Sequence, residues 1–337
     1  MVDDLRGREL CRAFFEEHVA PALDRGVPGL PYAAALLGRG SEVLGYDDEL
    51  SRDHNHEARV VVLVRDEERT DEVAALLEAA RPERFLGRPT EVAVTTPAAY
   101  VRELLAVDLD AELDPGLSAR DWLTIPEQQL VTLTSGAVFH DDIGLDEVRA
   151  RFAYYPRDVW LFLMAATWWR LHPEGNLVGR IGHVGDELGS TLLGARLVEA
   201  SMRLCFLMER TYAPYVKWFG TAFSRLACAP DLTPPLTRAL RADRWPAREA
   251  ALSEVYRLLG AQHDRLNVTA PVPMEDVRMW DRPFTVPWGD FPEALLEQVT
   301  DPEVRALADA WPFGGADQVR EVLWTPSARP ALLRLLE

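Results

Sequence analysis

The amino-acid sequence predicts an α+β protein, with a small mixed-sheet domain over residues 1–115 followed by a larger all-helical domain over 116–337. Three observations carry that expectation. In the first third of the chain, short β-branched runs alternate with apolar residues at helical spacing, the pattern of strands packed on helices. Beyond about residue 118 the strand signals thin out and amphipathic stretches take over. A length of 337 residues, with 48% hydrophobic side chains and 10 Trp, is enough for two cores of ordinary size.

Taken in order, residues 8–24 place Leu10, Phe14, Val19 and Leu23 at helical spacing and stop at the turn Gly26-Val27-Pro28-Gly29. A short apolar run, Tyr32 to Leu37, halts at Gly38. After a polar loop, Arg59 to Arg65 reads RVVVLVR, the continuous β-branched run of a buried strand. Residues 69–80 are helical in pattern, TEVAVTT over 90–96 is a further strand, and Pro97 suits the first position of a helix. Helices are then expected over 119–123, 126–133, 145–153, 157–171, 186–211, 214–227, 247–266, 292–299 and 302–310, with Pro-rich connections at 230–235, 271–273 and 283–292. His140-Asp141-Asp142 is read as a turn before the helix at 145.

Composition excludes several classes of function. The 36 basic and 54 acidic residues give a net charge of −18, so a surface that coats nucleic acid, which needs dense Lys and Arg, is not expected. No apolar run reaches the ~18 residues of a membrane span. The charged start Met1-Val-Asp-Asp-Leu-Arg6 is unlike a signal peptide. The three cysteines, Cys11, Cys205 and Cys228, are far apart and in no metal-ligand spacing, as in a reduced, cytoplasmic protein.

The loop between the first two strands carries the chemistry. It runs Leu37-Gly-Arg-Gly40-Ser41-Glu-Val-Leu-Gly-Tyr-Asp47-Asp48-Glu49-Leu-Ser51-Arg52-Asp53-His54-Asn55-His56. A strand ending in Gly-Ser makes a tight turn whose backbone N–H groups and hydroxyl can cradle phosphate oxygens. Asp53 and Asn55 bracket one residue, so in an extended segment both point to one side and can share a hard cation.

Gly40-Ser41 followed by Asp53-His54-Asn55 resembles the signature of the DNA polymerase beta-like nucleotidyltransferase superfamily. More narrowly, GSEVLGYDDELSRDH together with YAPYVKWFGTAF resembles a bacterial branch in which such a domain precedes a helical one, a resemblance covering about residues 30–270. It implies metal ligands at Asp53, Asn55 and, as a third acid on the TEVAVTT strand, Glu91; among the loop acids Asp47, Asp48 and Glu49, Asp48 is a further candidate ligand, and a solvated acidic turn is the alternative. The ion would be Mg²⁺, with Mn²⁺ as an alternative. The implied reaction moves a nucleoside monophosphate from a nucleoside triphosphate, by default ATP, to a small-molecule acceptor and releases pyrophosphate. Asn55 departs from the pattern, which has a carboxylate there, and an amide oxygen holds Mg²⁺ more weakly. A non-catalytic nucleotide or metabolite sensor and a metal-assisted phosphohydrolase are therefore the alternatives.

The chain has a single lysine, Lys217, within Tyr212-Ala-Pro-Tyr215-Val-Lys-Trp218-Phe-Gly220, in a composition that otherwise uses Arg for positive charge. A compact ammonium is a common phosphate ligand, and the resemblance implies cations from the second domain on the triphosphate, so Lys217 is assigned to the phosphates. The alternative is a snorkelling surface lysine. Arg196, Arg203 and Arg210, at spacings of seven, form a basic stripe in which Arg203 is the expected ligand contact, although Glu199 offers both Arg196 and Arg203 an ion pair within the helix. Tyr215 is expected to stack on the base, whereas Trp218 and Tyr212 suit packing as well as stacking. Asp186 opens the Gly-rich entry Gly182 to Gly189 either as a helix cap or beside a ligand. His54 and His56 offer two zinc donors and lack a third.

Overall fold

The computed structural model describes residues 7–47, 57–109, 116–278, 282–310, 314, 315 and 317, without the side chains of residues 172 and 173. The chain divides into two compact units. One gathers the residues up to Leu117 and the segment Ile125–Ala153, and the other holds Ser118–Thr124 and the described residues from Tyr154 onward.

The first unit opens with one helical run: α1 (Gly7–Phe14), a π-helical turn (Phe15–Val19) and α2 (Ala20–Gly26). The sequence explains the π turn. Its buried positions Leu10, Phe14, Val19 and Leu23 are spaced four, five and four apart, so the extra residue in the middle interval keeps Val19 on the buried face. Strand β1 (Tyr32–Leu36) follows, then the short helix α3 (Ser41–Leu44), strand β2 (Ala58–Val64), helix α4 (Thr70–Ala80), the edge strand β3 (Arg84–Phe85), strand β4 (Arg88–Thr95) and helix α5 (Pro97–Leu105). Thr96 caps α5 by accepting from the Ala99 N–H at 3.1 Å, as Pro97 in the first position requires.

The chain then passes through α6 (Ala119–Thr124), which belongs to the second unit, and returns with α7 (Glu127–Thr134), strand β5 (Ala137–Asp141) and α8 (Leu145–Arg151). The sheet order is β3-β4-β2-β1-β5. β1 lies antiparallel to β2 and β5, while β2 and β4 run parallel through the α4 crossover. Side-chain alternation separates the two faces. Ala34, Val60, Val62 and Val64 pack with Phe14, Val19 and Leu77, whereas Ala33, Ala35 and Leu63 pack with Ile143 and Leu145. Each such buried Val or Leu is worth about 1.5–3 kcal/mol.

Strand β5 corrects the sequence reading, which placed only helices beyond residue 115. Its tail, His140-Asp141, is sheet and cap together. Asp141 accepts from the backbone N–H groups of Ile143, Gly144, Leu145 and Asp146 at 2.9–3.2 Å. Burial raises its carboxyl, but those four bonds win and hold it below the usual carboxylate range. Gly136 is required at the entry to β5, because a Cβ there would lie 2.0 Å from the Leu36 carbonyl oxygen.

The second unit is built on α9 (Arg157–His183) and α10 (Glu187–Met208), followed by α11 (Val216–Phe223), α12 (Ala229–Arg241), α13 (Trp245–Arg265), a two-stranded ribbon of β6 (Glu275–Val277) and β7 (Val286–Trp288), α14 (Phe291–Leu296) and α15 (Pro302–Ala310). Helix α9 runs a further three turns past the end expected at residue 171. Gly175, Gly179 and Gly182 form the stripe on which other chain segments lie. A Cβ at Gly179 would stand 2.6 Å from Phe284, and one at Gly182 would stand 2.2 Å from Trp245. Helix α12 likewise replaces the connection expected at 230–235. Pro230 occupies its first turn, and the buried Leu232, Leu236 and Ala239 hold it helical despite Pro234 and Pro235.

Candidate functional site

The end of β1 leads into a turn that only glycine tolerates. Gly38 has φ 90° and Gly40 has φ 115°, on either side of Arg39. Ser41 then begins α3, and Gly45 ends it in the left-handed region. The side chain of Glu42 folds back beneath the turn, so that a Cβ on Gly40 would meet its carboxylate oxygens at 2.2 and 2.3 Å.

That carboxylate is paired with Arg59 at the head of β2, Nη2 to Oε1 at 2.5 Å, with the side chains 9% and 8% exposed. Burial raises the Glu42 carboxyl and the Arg59 charge opposes the rise, which leaves it above the ordinary range. A second arginine locks the helix from the other side, as Arg8 donates to the Glu42 carbonyl at 3.1 Å and to the Val43 carbonyl at 2.6 Å. The turn is therefore held by two guanidinium groups, the buried Arg59 and the exposed Arg8.

Glu91 sits one strand away. It is the register partner of Arg59 on parallel β4, so both side chains leave the sheet on the same face. The turn itself reaches across to it, with Arg39 Nη2 3.1 Å from Glu91 Oε2, both side chains well exposed. Arg39, between Gly38 and Gly40, thus gives Glu91 a counter-ion that sequence reasoning did not foresee. Asp48, Asp53, Asn55, His54 and His56 lie outside the described residues. Among the described residues no group of three His, Cys, Asp or Glu is placed to hold a metal. Glu91, the one expected ligand within them, suits a hard cation chemically, being an exposed oxygen donor beside the turn.

Sequence reasoning missed Arg39, Glu42 and Arg59. A signal was present for the last two, because an arginine heading an otherwise apolar buried strand demands a carboxylate, and Glu42 follows Ser41 directly.

In the helical unit, Lys217 is exposed in the first turn of α11, its Nζ 4.9 Å from the Trp218 ring centroid. Tyr215 is the residue before that helix and makes no side-chain cap. Trp218 and Tyr212 are buried, and Tyr212 packs on Tyr154 and Tyr155 at 5.0 and 5.1 Å. The arginine stripe is not continuous. Arg203 pairs with Glu199 at 3.5 Å and lies 5.2 Å from the Phe219 ring, and Arg196 pairs with Glu174 at 3.1 Å. Arg210 falls beyond the end of α10 with φ 50° and covers the rings of Tyr154 and Trp160 at 5.3 and 4.9 Å. Asp186 is the helix cap, accepting from the Gly189 N–H at 2.7 Å.

Two other titratable groups of this unit are strongly perturbed. Burial pushes the Glu249 carboxyl up to about 7, opposed by the Thr285 N–H, and pushes the fully buried His263 down to about 4, opposed by Asp264. His263 is a core residue, with Nε2 3.0 Å from Thr269 Oγ1 and its ring against Phe291.

Comparisons with known proteins give limited support. A family described as a domain of unknown function (DUF4037) matches residues 122–219, less than half of the chain. No curated protein matches. A solved structure of a nucleotidyltransferase-like protein from Exiguobacterium sibiricum 255-15 is similar over 83% of this chain and 97% of that one, at 11% identity and a TM-score of 0.33. So distant a likeness establishes neither fold nor activity, and the functional reading rests on this chain's own residues.

Proposed function

We propose that the chain is a metal-dependent nucleotidyltransferase, moving a nucleoside monophosphate from a nucleoside triphosphate to a small-molecule acceptor. The observation that carries the reading is local. A glycine-bounded Gly-Ser turn at the end of β1 stands beside an exposed carboxylate, Glu91, on the strand parallel to β2. Ser41 and the turn bind terminal phosphate oxygens, and Glu91 joins Asp53 and Asn55, with Asp48 in support, as oxygen ligands for Mg²⁺. When bound, Mg²⁺ neutralises charge on the triphosphate and on the departing pyrophosphate. Arg39 holds Glu91 in the absence of the ion, so loading the site exchanges one cation for another on that carboxylate.

The test is incubation of the full chain with each labelled nucleoside triphosphate and Mg²⁺ in the presence of acceptor extracts, followed by pyrophosphate release. Release that is lost in Glu91→Ala and Ser41→Ala supports the reading. No release with any donor and extract sinks it. The Arg39–Glu91 pair and Asn55 favour one rival, a nucleotide sensor without turnover. It predicts nucleotide binding by the wild type with no product.

A further inference from the structure

The arginines around the Gly38–Ser41 turn differ in how firmly they are committed. Arg59 is buried against Glu42, and Arg8 is occupied by the carbonyls of Glu42 and Val43. Arg39 stands on the turn itself, between the two positive-φ glycines, and meets Glu91 at 3.1 Å with both side chains open to water, 62% and 45% exposed. To make that contact it reaches from the end of β1 past the head of β2 to β4, across adjacent strands in the order β4-β2-β1. The turn also leaves space at its outer side, since a Cβ on Gly38 would meet nothing within 4 Å.

Exposure decides how such a pair behaves. An ion pair screened by water shifts an equilibrium by at most about fivefold, so each member readily exchanges the other for a stronger partner. For Glu91 the stronger partner is a divalent cation, a hard ion that takes carboxylate oxygens. For Arg39 it is a phosphate, whose oxygens accept from the guanidinium fork in pairs. Arg39 lies two residues before Ser41, on the turn assigned to the phosphates, so the anion and the carboxylate compete for one tethered side chain.

We propose that Arg39 is a two-position ligand of the nucleotide site. In the absence of the ion it neutralises Glu91, and when a divalent cation takes that carboxylate Arg39 turns onto the terminal phosphates of the triphosphate. Rotation of its own side chain makes the exchange, while Gly38 and Gly40 hold the backbone on either side. Cation and triphosphate therefore assist each other beyond their direct attraction: the cation frees Arg39 for the phosphates, and the phosphates free Glu91 for the cation. The proposal rests on the nucleotidyl-transfer reading for the identity of both ligands.

The test is calorimetric titration of the full-length protein, as wild type, Arg39→Ala, Glu91→Gln and the double variant, with tripolyphosphate in the absence of metal and, separately, with Mn²⁺ alone. Arg39→Ala is expected to weaken tripolyphosphate roughly tenfold. It should tighten Mn²⁺ about threefold, because the competitor on Glu91 is gone. Glu91→Gln frees Arg39 and tightens tripolyphosphate about threefold when Arg39 is present, but leaves the affinity unchanged in the Arg39→Ala background. That non-additivity separates an exchange of partners from long-range attraction, under which the two substitutions act independently. Melting curves of the variants stay superimposable, since both replaced side chains are exposed. Equal tripolyphosphate affinity in Arg39→Ala, additive effects in the double variant, or failure of the wild type to bind tripolyphosphate or Mn²⁺ overturns the proposal. The two readings fail separately. Pyrophosphate release with additive effects removes the exchange alone. Coupled effects without pyrophosphate release from any donor remove the transferase reading alone.

Discussion

Glu42 and Arg59 meet where both have lost most of their water, and each is tolerable there only because of the other. Replacing Glu42 by Gln leaves a buried guanidinium without its counter-charge. The expected loss is about 3 kcal/mol in urea-induced unfolding, and an apolar pair such as Glu42→Leu with Arg59→Met should recover most of it. If the pair only stabilises, that double variant also keeps nucleotide affinity; if it aims the Gly38–Ser41 turn, affinity falls while stability returns. Asn55→Asp restores the carboxylate of the superfamily pattern and is expected to raise both Mg²⁺ affinity and rate, read by metal titration and pyrophosphate release. Lys217→Arg keeps the charge and changes its shape, so a drop in nucleotide affinity is expected if a compact ammonium is what the site uses. At this scale the sequence disclosed the residue types and the turn, since Gly-Ser and an acid on the next parallel strand are local signals. It did not disclose the counter-ions. Which arginine neutralises Glu91 depends on strand register and on where the turn projects, and neither is written in residue spacing.

At the scale of elements, helix α9 shows why glycine misleads. Gly175, Gly179 and Gly182 look like a helix end, yet the helix continues because those positions are where α13 and the β7 segment come closest. Gly179→Ala is expected to cost about 1–3 kcal/mol through displacement of Phe284 and Glu249, and Gly182→Ala a similar amount through Trp245. Gly220 in α11 has nothing within 4 Å of its missing Cβ, so Gly220→Ala should be neutral or stabilising by up to about 1 kcal/mol. Thermal unfolding of the three variants measures the contrast. Elsewhere the apolar periodicity was sufficient. The strands at 32–36, 58–64 and 88–95 and helix α10 follow from it, because burial of one face dictates the period. Strand β5 was missed because AVFHD is short and half-exposed, and its ladder to β1 is a long-range pairing.

For the whole molecule, the half-buried Glu249 and the buried His263 set opposite responses to acid. Glu249 has a folded pKa of about 7, raised from 4.5, so its contribution is fully present below 4.5 and is lost as pH rises toward 7. His263 is lowered from 6.5 to about 4, so its contribution is fully present above 6.5 and is lost as pH falls toward 4. The slopes oppose each other across one window and flatten the net dependence. Glu249→Gln removes one of them, and stability measured by denaturant at pH 4.5 to 7 should then fall with acidification by about 1–2 kcal/mol more than in the wild type. A stability profile unchanged in slope would show that Glu249 ionises normally in the folded protein. Strand β5 has a consequence of a different kind, for the order of events on the ribosome. β1 is flanked on one side by β2 and on the other by a strand that emerges only after residue 136. Until then the nascent chain carries an open, alanine-lined edge with unpaired backbone groups, a template for the wrong neighbour. A fragment ending at 115 should accordingly associate through that edge, and synthesis that pauses before β5 should increase dependence on chaperones.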